Sequence, residues 1–135
     1  MDLSSAMTIA AAGMRAQSAR LRVTAENLAN AESTATVAGG DPFRRKTVSF
    51  AERADRDSGL ELVDVARYGE DGGDFELRYQ PGHPAADAAG DVKYPTVSPL
   101  IELVDMREAQ RSYEANLNAM QLARSMIGRT LDLLR

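Results

Sequence analysis

A chain with one histidine and no cysteine carries little material for a catalytic centre. That histidine, His83, lies between Gly82 and Pro84 in the stretch PGHPAADAAGDVKYP, Pro81 to Pro95, which holds three of the five prolines. A general base there, with Asp87 nearby, would make a small hydrolase. A turn histidine that hydrogen-bonds locally is the plainer reading, and the prolines then serve only to fix the path of the chain. The absence of cysteine rules out disulfides and thiolate metal sites, and a single histidine gives no support to a triad or a His-rich metal centre. The acidic run GEDGGD, Gly69 to Asp74, has oxygen ligands suited to calcium. It lacks the EF-hand spacing and the closing glutamate, and reads as a solvated turn. Gly39–Gly40 is not followed by Gly-Lys-Ser/Thr, so it forms no phosphate loop. The triplet Arg44–Lys46 suits either an acidic partner or a strand edge kept soluble by charge. No cofactor and no small-molecule substrate are expected.

Three amides stand apart. Asn27 and Asn30 lie three residues apart in ENLANAEST, and Asn116 lies in YEAN inside a helical pattern, where asparagine is only a modest helix former. They read either as surface polarity or as register-fixing hydrogen bonds in a packed assembly.

Two long helices must position these groups. Leu3, Met7, Ala10, Met14, Gln17, Leu21, Thr24 and Leu28 step four and three, a heptad stripe that predicts a helix from about Ser4 to about Ala31. Gly13 costs that helix about 1 kcal/mol relative to alanine. Leu103, Met106, Gln110, Tyr113, Leu117, Met120, Arg124, Ile127, Leu131 and Leu134 repeat the pattern and predict a helix from Pro99 to about Leu134, with Ser98 as its cap. One stripe on each arm predicts an antiparallel coiled-coil pair. Ala11, Ala12, Ala16 and Ala19 on one arm, and Ala115, Ala119 and Ala123 on the other, form exposed flanks.

Between the arms, RRKTVSF (Arg44 to Phe50), LELVDVARY (Leu60 to Tyr68) and FELRY (Phe75 to Tyr79) read as short strands. Phe75, Leu77 and Tyr79 alternate with charged residues, as on a half-buried strand. YGEDGGD is a turn or tip. The fold class is mainly α with a small β insert. Residues 1–35 and 99–135 form one assembly domain, and residues 36–98 form the insert with its connector at 81–95.

Charge agrees with this division. Residues 1–35 hold three arginines and three acids, and residues 100–135 hold five of each. The net charge of −4 therefore sits in the middle segment, and the neutral arms can pack against copies without bulk repulsion. No basic excess exists to neutralise phosphates, so nucleic acid is not an expected partner. No run of about 18 apolar residues exists to span a membrane. The uncharged run from Leu3 to Met14 follows Asp2 rather than a basic flank, and reads as mature structure rather than a signal peptide.

AENLANAEST and YEAN resemble the paired terminal motifs of bacterial flagellar axial proteins, the rod, hook and hook-associated subunits. PFRRKTVSF, PGHPAADAAGDVKYP and VDMREAQRSYEANLNAMQLARSMIGRTLDLL are similar to the proximal rod members of that family. Glu26 departs from the serine common before the Asn-Leu-Ala-Asn motif. Asp91, Thr96 and Ser98 also differ from the family's usual residues. The resemblance implies a non-enzymatic subunit of the basal-body rod, stacked with copies of itself and with other rod subunits. It implies export through the flagellar type III apparatus without a cleaved signal, and a periplasmic place in a double-membrane cell. The assembly interface would then include Leu3, Met7, Met14, Leu21, Asn27, Leu28, Asn30, Leu103, Met106, Tyr113, Asn116, Leu117, Met120, Ile127, Leu131 and Leu134. A soluble helical adaptor or export chaperone, binding a partner helix in its seam, is the rival reading.

Overall fold

In a computed structural model, which describes residues 2–133, two long helices flank four short strands: α1 (Leu3–Ala29), β1 (Lys46–Ala54), β2 (Glu61–Glu70), β3 (Glu76–Tyr79), β4 (Asp91–Tyr94) and α2 (Pro99–Leu133). Both helices begin where local chemistry starts them. The Asp2 carboxylate accepts the Ser5 N–H at 2.7 Å, a cap that holds its carboxyl below the ordinary aspartate range. Pro99 opens α2, and the Glu102 N–H donates to the Ser98 carbonyl. Leu134 lies outside the described residues.

The chain divides into two compact units, and both helices contribute to each. The first holds Met1–Leu21, Val48–Arg67 and Met106–Arg135. Here β1 and β2 pair as a hairpin, with the Asp55 N–H donating to the Leu60 carbonyl. The buried positions of this unit are alanines: Ala10, Ala12 and Ala16 on α1, and Ala109 and Ala123 on α2.

The helical stripes differ from those the sequence predicts. On α1 the expected positions are buried or half-buried, but Ala12 and Ala16, expected on an exposed flank, are among the most enclosed. On α2, Met106, Tyr113, Met120 and Ile127 face inward as expected. The alternate positions shift by one residue, to Ala109, Asn116 and Ala123. Leu103 and Leu131 are exposed, at 43% and 59%, as are Gln110 and Arg124, and Leu117 sits half-buried on the flank. The reason is steric. Small residues let two backbones approach closely, and that closer approach gains more contact than a seam of larger side chains held farther apart.

The second unit holds Arg22–Thr47 and Tyr68–Asp105. Its core is Ala85, Val92 and Tyr94, with Ala35 and Ala86 packed against it. β3 and β4 are antiparallel, with Glu76 opposite Tyr94 and Tyr79 opposite Asp91. β4 is a finding the sequence reading missed, because its four residues lie inside the proline-rich connector. That connector is the loop of a hairpin before it leads into α2. The faces of β3 are also reversed. Leu77 and Tyr79 point outward, 60% and 72% exposed, while the Arg78 guanidinium lies 4.2 Å from the centre of the buried Tyr94 ring. Alternation identified the strand but could not say which face meets the core, because a stacked arginine can cover an aromatic ring as a hydrophobe would.

Gly90 closes this hairpin at φ +89°, and a Cβ there would stand 2.8 Å from the Tyr79 ring. Gly90→Ala should therefore cost about 1–3 kcal/mol. Amide exchange in residues 79–94 should accelerate accordingly, and unchanged protection would show that the loop tolerates a side chain.

Candidate assembly interface

In the first unit, α1 and α2 meet at Gly13 and Asn116. A Cβ on Gly13 would lie 2.7–2.8 Å from the Asn116 amide atoms, so glycine is what lets the helices close at this point. Arg20 and Glu108 form an ion pair at 3.6 Å. Along one helix the numbers rise while along the other they fall. Asn116 Nδ2 donates to the Ser112 carbonyl one turn back on its own helix.

In the second unit a buried polar joint ties three segments together. The Asn27 side chain is fully enclosed. Its oxygen accepts the Lys46 N–H at 2.7 Å, and its Nδ2 donates to the Lys46 carbonyl at 2.9 Å. The amide thus pairs with the first residue of β1 as a neighbouring strand would. Asn27 Nδ2 also lies 3.3 Å from Glu102 Oε2, and Arg45 Nε donates to Glu102 Oε1 at 2.6 Å. Glu102 is itself fully enclosed, in the first turn of α2. The Lys46 ammonium reaches Glu26 at 2.8 Å, and this hydrogen bond holds the Glu26 carboxyl below the ordinary glutamate range. The acid at position 26, a departure from the expected motif, therefore has its own partner on β1.

Two further ties surround the joint. Arg44 donates to the carbonyls of Asp71 and Gly73, so the acidic turn is pinned through its backbone. Arg78 bonds Glu76 and Glu32, each at 2.9 Å, and these bonds raise the guanidinium pKa still further above its ordinary value.

Of the predicted amides, Asn27 is the buried one. Asn30, just past the end of α1, and Asn116 within α2 are half-buried and bond carbonyls one turn back, Glu26 and Ser112. Leu3, Met7, Met14, Leu21 and Leu28 are half-buried along α1. Arg45, within the basic triplet read as suited to an acidic partner, meets the acid Glu102; sequence reasoning missed Glu102 and Arg78. For Glu102 the visible signal was a lone acid inside the apolar run PLIELV. For Arg78 no local signal existed.

The candidate chemistry resolves into backbone support. His83 Nδ1 accepts the Ala85 N–H at 3.0 Å, which makes it the locally bonded turn histidine. Asp87 Oδ1 accepts the N–H groups of Ala89 and Asp91. Both members of the hydrolase pair are thus engaged in shaping one loop. Among the described residues no group of three or more His, Cys, Asp or Glu could hold a metal ion, and no helix is long and apolar enough to cross a membrane.

Residues 88–133, which hold β4 and α2, match the family described as flagellar basal body rod FlgEFG protein C-terminal. The whole chain is similar to proteins named flagellar basal-body rod protein FlgC. That of Agrobacterium fabrum is 52% identical over 133 residues, spanning 98% of this chain and 96% of the relative. That of Escherichia coli is 41% identical, spanning 98% of each. That of Bacillus subtilis is 35% identical over 142 residues, spanning 94% of this chain and 95% of the relative.

Proposed function

The chain belongs to the family of the flagellar basal-body rod protein FlgC, and from that premise we propose that it is a structural subunit of the rod, built by helix–helix packing into the shaft that transmits torque. The observation that carries this reading is the end-to-end likeness to proteins named for the rod. The geometry supports it. In the first unit Gly13 and Arg20, seven residues apart on α1, meet Asn116 and Glu108 on α2. Contacts spaced by about two turns, rising along one helix and falling along the other, are what an antiparallel helix pair makes. Residues 1–35 and 99–135 then act together as the assembly domain, and residues 36–98 as its insert. Leu103 and Leu131, exposed on α2, are available to neighbouring subunits. The partners are copies of the chain and other rod subunits. Export proceeds through the flagellar type III apparatus, without a cleaved signal, to a periplasmic rod. No reaction is catalysed. An adaptor or export chaperone finds no support among the relatives.

A tagged copy of the chain should co-purify with isolated basal bodies and remain with the rod when outer components are stripped. Its absence from rods in motile cells that depend on it would overturn the assignment.

The same reading makes the arms weak until they are packed. Their seam buries mainly alanine, and Gln17 Oε1 is buried without a hydrogen-bond partner, a loss of about 1–3 kcal/mol. Isolated helices are marginal without tertiary contacts. In dilute monomer, amide exchange across residues 5–21 should be fast relative to residues 91–94. Strong protection of residues 5–21 in a proven monomer would contradict this.

A further inference from the structure

The turn between β2 and β3 holds the chain's single Asp–Gly pair, Asp71–Gly72, and the chain has no Asn–Gly. Asp–Gly is the pair in which aspartate rearranges most readily, because glycine puts no side chain in the way of its own nitrogen. The Gly72 nitrogen bonds to Asp71 Cγ, and the amide hydrogen leaves with a carboxyl hydroxyl as water. Water then opens the ring. Opening at Cγ restores aspartate, and opening at the α-carbonyl leaves Gly72 attached through the side chain, as isoaspartate. Water is the only co-reactant.

Much of the turn is open to this reaction. Asp71, Gly72 and Gly73 are exposed, and among the described residues the Gly72 N–H meets no acceptor from the protein. At Asp57–Ser58, by contrast, the Ser58 N–H is held by Asp55 Oδ2 at 3.0 Å. The fold does not require glycine at position 72. A Cβ there would meet nothing within 4 Å, and the backbone lies outside the left-handed region. What opposes the reaction is a clamp. Arg44 Nη1 donates to the Asp71 carbonyl at 3.2 Å and to the Gly73 carbonyl at 3.0 Å, and its guanidinium lies 4.3 Å from the centre of the Phe75 ring. The Asp71 N–H donates to the Arg45 carbonyl at 2.8 Å. The Asp71 carbonyl and the Gly72 nitrogen belong to one planar peptide unit, so a hydrogen bond that fixes the oxygen also fixes the nitrogen that must swing toward Cγ.

We propose that Asp71 is a site of isoaspartate formation and that Arg44 guards it. The unfolded chain isomerises at Asp71, and the folded chain is held against it. Isomerisation also inserts one extra carbon into the main chain between the two carbonyls that Arg44 grips, so a modified chain no longer fits the clamp.

The test incubates the full folded chain beside a synthetic peptide of residues 68–76, and reads isoaspartate at position 71 by isoaspartate methyltransferase labelling and peptide mapping. The peptide gives the unclamped rate. Wild type should be slower by about tenfold, the effect on a barrier of two carbonyl hydrogen bonds. Arg44→Ala should approach the peptide, and Arg44→Lys, which keeps a charged donor, should fall between. Gly72→Ala should suppress the product in the chain and in the peptide. Amide exchange at residues 91–94 in the same samples reports whether the unit stays folded. The proposal is overturned by a wild type as fast as the peptide, by Arg44→Ala as slow as wild type, or by acceleration that appears only with loss of protection at 91–94. Isoaspartate undiminished in Gly72→Ala would overturn it as well.

Discussion

Glu102→Ala should destabilise the second unit by about 3–5 kcal/mol, the largest loss expected from any single polar residue. The carboxylate is fully enclosed, and its removal leaves the Arg45 guanidinium without its 2.6 Å partner and Asn27 Nδ2 with one acceptor fewer. Breaking a buried pair by deleting one member is costly because the remaining charge stays desolvated. Arg45 is about a quarter exposed and can recover some hydration, which favours the lower end of that range. Glu102→Gln keeps an acceptor for Arg45 and should lose less. Amide exchange at Lys46 is the direct readout, since its N–H donates to Asn27 within the same joint. Equal protection of Lys46 in wild type and Glu102→Ala would show that Asn27 holds β1 without help from the carboxylate.

Tyr94→Ala should cost a similar amount, about 3–5 kcal/mol, by a different mechanism. The ring is the one aromatic side chain in the core of the second unit, beside Val92 and Ala85. Removing it opens a cavity and uncovers the stacked Arg78. Tyr94→Phe separates the two contributions. It retains the ring and the stack, and loses only the hydroxyl that donates to Gln80 Oε1 at 3.0 Å, worth about 0.5–1.5 kcal/mol. The alanine variant should lose protection throughout β3 and β4, and the phenylalanine variant should lose little. Comparable losses in both would place the stabilisation in the hydrogen bond rather than in packing.

The two helices and their limits were legible because their signals are local. Heptad spacing, the Ser98–Pro99 start and the alanine-rich composition act within a few residues of where they are read. The hairpins were legible as strands for the same reason, except β4, whose four residues are too few to show alternation against flanking glycine and proline. The His83 turn was legible because its partner, Ala85, is two residues away.

What the sequence by itself determined is therefore the inventory: two long helices, short strands between them, no catalytic set, and motifs specific enough to name a family. Tertiary structure alone decided which faces meet. A count of large apolar residues placed the α2 seam through Leu103, Leu117 and Leu131, yet the helices close over Ala109, Asn116 and Ala123, because backbone proximity depends on what is small on both partners at once. In β3 the charged position faces the core and the apolar positions face out, because Arg78 meets a tyrosine on another strand with acids on either side. The joint of Asn27, Arg45 and Glu102 joins residues up to 75 positions apart. Each leaves a local mark, Asn27 among the amides of ENLANAEST, Arg45 in the basic triplet and Glu102 as an acid in an apolar run, but none of these marks names its partner. Their burial and mutual satisfaction arise only when three distant segments fold onto one point, and no local pattern encodes that meeting.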